Sequence, residues 1–244
     1  EQVVVLGNQV KDQNILWFEG RQTKTPIADQ VLKSLKAGGI CGSNLHCYKN
    51  GGFGSIQFRE LMVLGHEASG EIPEIGSDVE GLSIGQLVAI SSSRPCIACE
   101  YCLRAQPNHC ENMRFYGIAM PFPHIQGAFQ QSIVADVSQC APADGLQAAE
   151  AAMAEPFSVS LHAVKQAGNL VGKTVLITGC GPIGIMTILA VRRAWAIKII
   201  ATDLSEFTLQ KATLAGADII HNVATNPDAL SSLNVEKGQV DVHF

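Results

Sequence analysis

The chain has 244 residues, 47% of them hydrophobic and 16% charged, which is enough to bury one large core or two ordinary ones and too apolar for a disordered chain. Its formal net charge of −5 argues against nucleic acid as the main partner, because phosphate binding needs clustered Lys and Arg. The opening Glu1-Gln2-Val3-Val4-Val5 lacks the basic region and cleavage site of a secretory leader, and the longest uncharged run, 174–191, is broken by Gly179, Gly181, Pro182 and Gly184. The expectation is a soluble cytoplasmic protein with no membrane span.

In chain order, residues 1–145 carry short apolar runs punctuated by glycine, such as Met62-Val63-Leu64 before Gly65 and Leu87-Val88-Ala89-Ile90 after Gly85. That pattern predicts a β-rich domain with loops. Residues 148–167 read as helical, with Pro156 as a break or kink. From Lys173 the rhythm changes. Residues 174–178 predict a buried strand, 183–194 a helix, 198–202 a second strand, and 205–215 a second helix ending at Gly216. Residues 219–222 predict a third strand and 240–244 the opening of a fourth. Strands alternating with helices mean a parallel sheet, so the fold class is α/β. The expected division is a β-rich domain over 1–150 and a dinucleotide-binding domain over 151–244.

Cys96, Cys99, Cys102 and Cys110 stand at the spacing C-x2-C-x2-C-x7-C, half of the eight cysteines of the chain. Thiolates this close can converge on one tetrahedral ion, and four sulfur ligands suit Zn²⁺. Such a site has no open position and is structural. His109 in place of Cys110, or a pair of disulfides, are the alternatives. A nucleic-acid-binding zinc ribbon is disfavoured by the acidic balance.

Gly179-Cys180-Gly181-Pro182-Ile183-Gly184 is G-x-G-x-x-G between a predicted strand and a predicted helix. The first glycine permits the tight turn, the second lets a pyrophosphate approach the backbone, and the third lets helix and strand pack closely. The helix N-terminus offers free N–H groups to the phosphates. Asp203 closes the second strand, where it would accept hydrogen bonds from the adenosine ribose and repel a 2′-phosphate, favouring NAD over NADP. Cys41, His66 and Glu67 together supply the mixed S/N/O set that leaves Zn²⁺ an open position. Glu155 is a carboxylate in a locally apolar stretch, and a metal is one candidate partner for it.

These motifs, in this order, resemble the zinc-dependent medium-chain alcohol and polyol dehydrogenases over essentially the whole chain. The stretch from Asn112 to His124 looks most like the L-idonate 5-dehydrogenase branch, and Glu155 points to the sorbitol-dehydrogenase side. The resemblance implies a GroES-like catalytic domain followed by a Rossmann domain, two zinc ions per chain, and a homo-oligomer in the full-length form. Carried over by position, Cys41 and His66 bind catalytic zinc, Glu67 is a third ligand or near neighbour, and Glu155 a direct or water-mediated one. Ser43 receives the substrate proton and His46 finishes the relay. The substrate hydroxyl, acidified at the metal, loses its proton through Ser43 and His46, and a hydride passes from carbon to nicotinamide. L-Idonate to 5-ketogluconate is the favoured reaction; sorbitol, xylitol and L-threonine all have enzymes of this type. Arg114, with Arg94 nearby, is a candidate for holding a sugar-acid carboxylate, or Arg114 pairs with Glu111.

The sequence departs from the family in places. Asn44 stands where the family usually has the acid that supports the zinc-bound histidine. Gln86 replaces the usual Asp of a Gly-Asp-x-Val turn, and Pro73 falls in a strand, which predicts an edge or a bulge. Only one βαβαβ half and the start of the next strand are present. Either the chain is a fragment of a longer enzyme, or it is a catalytically silent, zinc-stabilised dinucleotide-binding remnant.

Overall fold

The computed structural model describes residues 2–6, 16–20, 25–234 and 238–244. Contacts divide the chain into two compact units, Glu1–Glu155 and Pro156–Phe244.

The first unit is built on a five-stranded antiparallel sheet in the order Ser132–Asp136, Gln30–Gly39, Glu67–Ile75, Leu87–Ile90, Cys140–Pro142. Its strands alternate because one face must be buried: Val31, Ile72 and Val88 form one cluster, and Ala68, Ile90, Ala128 and Ile133 another. A second sheet joins Leu16–Gly20, Gln2–Leu6 and Met62–Val63. Pro73 lies in the central strand Glu67–Ile75, not at an edge. It sits at a bulge: Leu32 pairs with Glu74 and Ser34 with Glu71, so Ile72 and Pro73 together oppose Lys33. The missing N–H of Pro73 is therefore where the ladder is already interrupted. Gln86 keeps its turn closed. Its Oε1 accepts from the Ser83 N–H at 3.1 Å, and its Nε2 donates to the Asp144 carboxylate at 3.0 Å.

Residues 148–166 form two helices, Ala148–Ala152 and Ala154–Gln166. The break falls at Met153, ahead of Pro156. Pro156 sits in the first turn of the second helix, where its missing N–H has no intrahelical partner to lose. Ser69 Oγ donates to the Ala148 carbonyl at 2.6 Å and ties the first helix to the central strand.

The second unit holds four parallel strands in the spatial order Ile219–Asn222, Lys198–Asp203, Thr174–Thr178, Val242–His243. In chain order that is third, second, first, fourth, one flank of a doubly wound sheet. The uncharged run 174–191 resolves into a strand, a turn and the helix Pro182–Arg193. Val175, Ile177, Ile188, Ile199 and Leu209 make the core between sheet and helices. The helix Glu206–Ala215 starts after Ser205 and stops at Gly216, whose φ of 110° favours glycine. Among the described residues no helix is long and apolar enough to cross a membrane.

Candidate functional site

Sheet register assembles the mixed cluster. Gly39 pairs with Glu67 across the two longest strands, so Cys41, just beyond Gly39, meets His66 and Glu67. One ligand atom from each of Cys41, His66 and Glu67 lies within 4.8 Å of the others. Gly39 is needed for this: a Cβ there would overlap the Glu67 carboxylate. Gly65 is needed too. Its φ is 97°, and a Cβ would collide with the Phe129 ring. Cys41 is the N-cap of the helix Gly42–Asn50, so its side chain sits at the helix start. His66 is buried, packs its ring 5.4 Å from Phe115, and its carbonyl accepts a hydrogen bond from Ser92 Oγ. Burial holds the His66 imidazole below its ordinary range, so it stays neutral as a ligand must.

Glu67 is raised by burial, opposed by a hydrogen bond with the Cys41 side chain. Glu155 is pushed up to about 7 by burial and by the Glu67 charge. Two carboxylates, each disfavoured as an anion by burial, beside a thiol and a neutral imidazole fit a divalent cation, which would reverse the penalty. Asn44 is not placed as a support for His66: its Oδ1 accepts from the Cys41 N–H at 3.1 Å and fixes the helix start. Ser43 and His46 follow Cys41 on the same helix, one turn apart and on one face. Ser43 is half-buried; His46 is exposed, with its ring edge-on to Phe53 at 5.4 Å.

The four cysteines form the second cluster, with Sγ atoms within 4.8 Å of one another and Cys110, not His109, as the fourth member. All eight cysteines of the chain are free thiols. The lobe is the connection between Ser93–Arg94 and Arg114–Phe115, which pair as a two-stranded ribbon. Amides cradle the sulfurs. The Ala98 and Cys99 N–H groups draw Cys96 down to about 6, while Cys102 is pushed up to about 12 by burial and by Cys99. Without a cation the thiols cannot share negative charge; with Zn²⁺ they can.

The ribbon corrects one expectation. Arg114 stands opposite Arg94, and Phe115 opposite Ser93. Neighbouring strand residues face opposite sides, and Phe115 faces His66, so Arg114 points away from the mixed cluster. Arg94 pairs with Asp136 at 2.8 Å; both arginines line a separate cavity of about 1030 Å³. Arg114 makes no ion pair with Glu111 either, among the described residues.

In the second unit, Gly179 has a φ of 89°, as its tight turn requires. A Cβ on Gly184 would overlap the Gly179 carbonyl, whereas one on Gly181 would meet nothing within 4 Å, which leaves open backbone for a phosphate. Pro182 opens the helix and Ile183 follows it in the first turn. Asp203 Oδ2 accepts from the Cys180 N–H at 2.6 Å and Oδ1 from the Ser205 N–H at 2.8 Å. Burial works to raise this carboxyl, but those amides outweigh it and hold it below the usual range. It therefore stays charged beside the turn.

Residues 27–145 match the alcohol dehydrogenase GroES-like domain. The L-idonate 5-dehydrogenase (NAD(P)(+)) of Escherichia coli strain K12 is 42% identical over 216 residues, covering 88% of this chain and 62% of that protein. The crystal structure of L-idonate 5-dehydrogenase from Escherichia coli K-12 MG1655 matches with a TM-score of 0.90 at 38% identity, covering 100% of this chain and 68% of that one. The chain belongs to the zinc-dependent medium-chain dehydrogenase family. Sorbitol dehydrogenase of Bacillus subtilis strain 168, another member, is 38% identical over 207 residues, covering 84% of this chain and 57% of that protein. The chain thus spans less than two thirds of the length of these two curated relatives.

Several contributors to the site carried no signal in the sequence read alone. Ser92 and Phe115 hold His66 but are ordinary residues in ordinary positions. Gly39 was visible only as part of a glycine pair.

Proposed function

We propose that the whole protein is a zinc-dependent oxidoreductase that moves a hydride from a secondary alcohol of a sugar acid or polyol to NAD. The observation that carries this reading is the convergence of Cys41, His66 and Glu67 in a chain that also bears the Gly179–Gly184 turn. Residues 1–150 form the catalytic domain and 151–244 the dinucleotide-binding part. Cys41, His66 and Glu67 would hold the catalytic ion with Glu155 beside them, and Cys96, Cys99, Cys102 and Cys110 the structural one. When bound, catalytic zinc supplies a Lewis acid that lowers the pKa of the substrate hydroxyl. Ser43 Oγ would accept that proton while passing its own on through the cofactor ribose, and His46, exposed one turn on, would take up the relayed proton and release it to solvent. Gly179, Gly181, Pro182, Ile183 and Gly184 seat the pyrophosphate, and the Asp203 carboxylate repels a 2′-phosphate, which favours NAD over NADP. The protein acts in the cytoplasm as a homo-oligomer.

L-Idonate, oxidised to 5-ketogluconate, is the favoured substrate, supported by the resemblance of residues 112–124 and by the relative named above rather than by Arg114. The test is kcat/KM for L-idonate, sorbitol and xylitol with NAD and NADP, in the full-length parent and in Asp203→Ala. A preference for L-idonate with NAD, and a relative gain in NADP use in the variant, supports the reading. Equal use of both cofactors by parent and variant alike contradicts the role of Asp203.

A further inference from the structure

One polar pair in the second unit belongs neither to the metal clusters nor to the glycine turn. Thr178 ends the strand Thr174–Thr178 and immediately precedes Gly179. His243 lies on Val242–His243, which runs parallel to that strand with Leu176 opposite His243. Thr178 Oγ1 and His243 Nε2 share a hydrogen bond of 2.6 Å, and both side chains are exposed. Val175 and Ile177 face the helix-covered core, so Thr178 faces the other side of the sheet.

The position is telling. The sheet changes direction of growth between its first and fourth strands, and open parallel sheets bind ligands beyond the carboxyl ends of the strands at that reversal. Asp203 ends the second strand, on one flank of the glycine turn. His243 stands on the other flank. A dinucleotide with its adenosine at Asp203 and its pyrophosphate over Gly181 carries its nicotinamide half past His243.

We infer that His243, held by Thr178, is a further dinucleotide-binding residue that contacts the nicotinamide-side phosphate. The direction of this hydrogen bond follows the imidazole tautomer; with the Thr178 hydroxyl donating to Nε2, the ring proton sits on Nδ1. Nδ1 has no other partner among the described residues, so its N–H is available to a phosphate oxygen. This rests on the dinucleotide reading of the glycine turn.

The test is equilibrium binding of NADH, ADP-ribose and AMP to the full-length protein, with folding checked by circular dichroism. AMP spans only the Asp203 side and is the internal control. His243→Ala should raise the Kd for NADH and ADP-ribose about tenfold, as loss of a hydrogen bond to a charged group does, and leave AMP within about twofold. Thr178→Val should shift NADH in the same direction by less. The double variant should be no weaker than His243→Ala, because the two residues act as one unit. An unchanged NADH affinity in His243→Ala overturns the inference. So does an equal loss for NADH and AMP, which would mark a residue that only braces the sheet. A parent chain that binds neither AMP nor NADH overturns the dinucleotide reading itself, and this inference with it.

Discussion

The two cysteine-containing clusters of the first unit are held together in opposite ways. The four-cysteine lobe is local: its ligands lie within residues 96–110 and are closed off by one ribbon of two paired two-residue strands. It has almost no core of its own. Ile97 is 73% exposed and Leu103 76% exposed, and of the four ligands only Cys110 is buried. Its backbone is also strained, with Ile97 at a φ of 62° and Ala105 at 58°. A left-handed residue other than glycine costs about 1–2 kcal/mol, most for a β-branched one. Strain without a core needs another source of stability, and four thiolates around one ion provide it. The Cys41–His66–Glu67 cluster is the reverse. Its ligands come from two segments far apart in the chain, Cys41 after the strand Gln30–Gly39 and His66-Glu67 at the start of Glu67–Ile75, brought together by sheet register, with His66 packed against Phe115. Its geometry is a consequence of the fold, so the fold should survive without its ion.

Breaking the lobe should have the largest effect. Cys99→Ser should lose one zinc and lower the melting temperature by more than about 10 °C, since a structural zinc contributes on the order of 10 kcal/mol to folding. Scanning calorimetry with metal analysis checks this. If Cys99→Ser keeps its full zinc and melts like the parent, the lobe is not a metal site.

Gly65→Ala strikes the other cluster through its backbone. A left-handed position and a collision with Phe129 should cost about 2–4 kcal/mol. The zinc beside His66 should go while the lobe keeps its own. Metal content measured on the refolded variant distinguishes the two ions, and loss of both would mean that the clusters are not independent.

Lys33 sharpens the contrast from the sheet side. It is fully buried on the strand that leads to Cys41, and among the described residues its Nζ has no hydrogen bond of good geometry, with the Cys140 side chain and Asp136 as its electrostatic partners. Burial holds its amine below the ordinary lysine value, more than Cys140 and Asp136 can offset. Lys33→Met should stabilise the sheet by about 1–3 kcal/mol in urea unfolding. The sign with pH follows. A lysine with a lowered folded pKa is a penalty below that pKa, because the unfolded chain takes up the proton more readily. The penalty fades as pH rises towards 10.5, and Lys33→Met should remove that slope. Destabilisation by Lys33→Met would mean that the amine has a partner in solution.

The smallest effect concerns Glu155. Its folded pKa near 7 lies above the ordinary 4.5, so metal-free protein should lose stability as pH climbs from 4.5 to about 7. Partial exposure keeps this modest. Glu155→Gln, or saturation with zinc, should flatten the curve. A slope unchanged in Glu155→Gln would assign it to another group.

The same contrast explains what the sequence alone could reveal. Features encoded by neighbours in the chain were readable: the cysteine spacing, the glycine turn, and the strand and helix rhythm after Lys173. Cys41, His66 and Glu67 were legible as a mixed S/N/O set and were strengthened by the family pattern, but their convergence depends on Gly39 pairing with Glu67, which no local spacing shows. Arg114 was misjudged because its direction depends on the parity of a two-residue strand. The helix break at Met153, placed ahead of Pro156, reflects the tolerance of a first helical turn for proline. Lys33 breaks the apolar pattern of its strand, and only burial in the folded sheet exposes the conflict.

Native mass spectrometry of the folded chain is the most direct test of two unequal zinc sites. The parent should carry two zinc ions. Mild chelation should remove the first without a change in circular dichroism, and removal of the second should coincide with loss of structure. A parent that holds only one zinc, or that unfolds on losing the first, would contradict the division of labour between the packed cluster and the lobe.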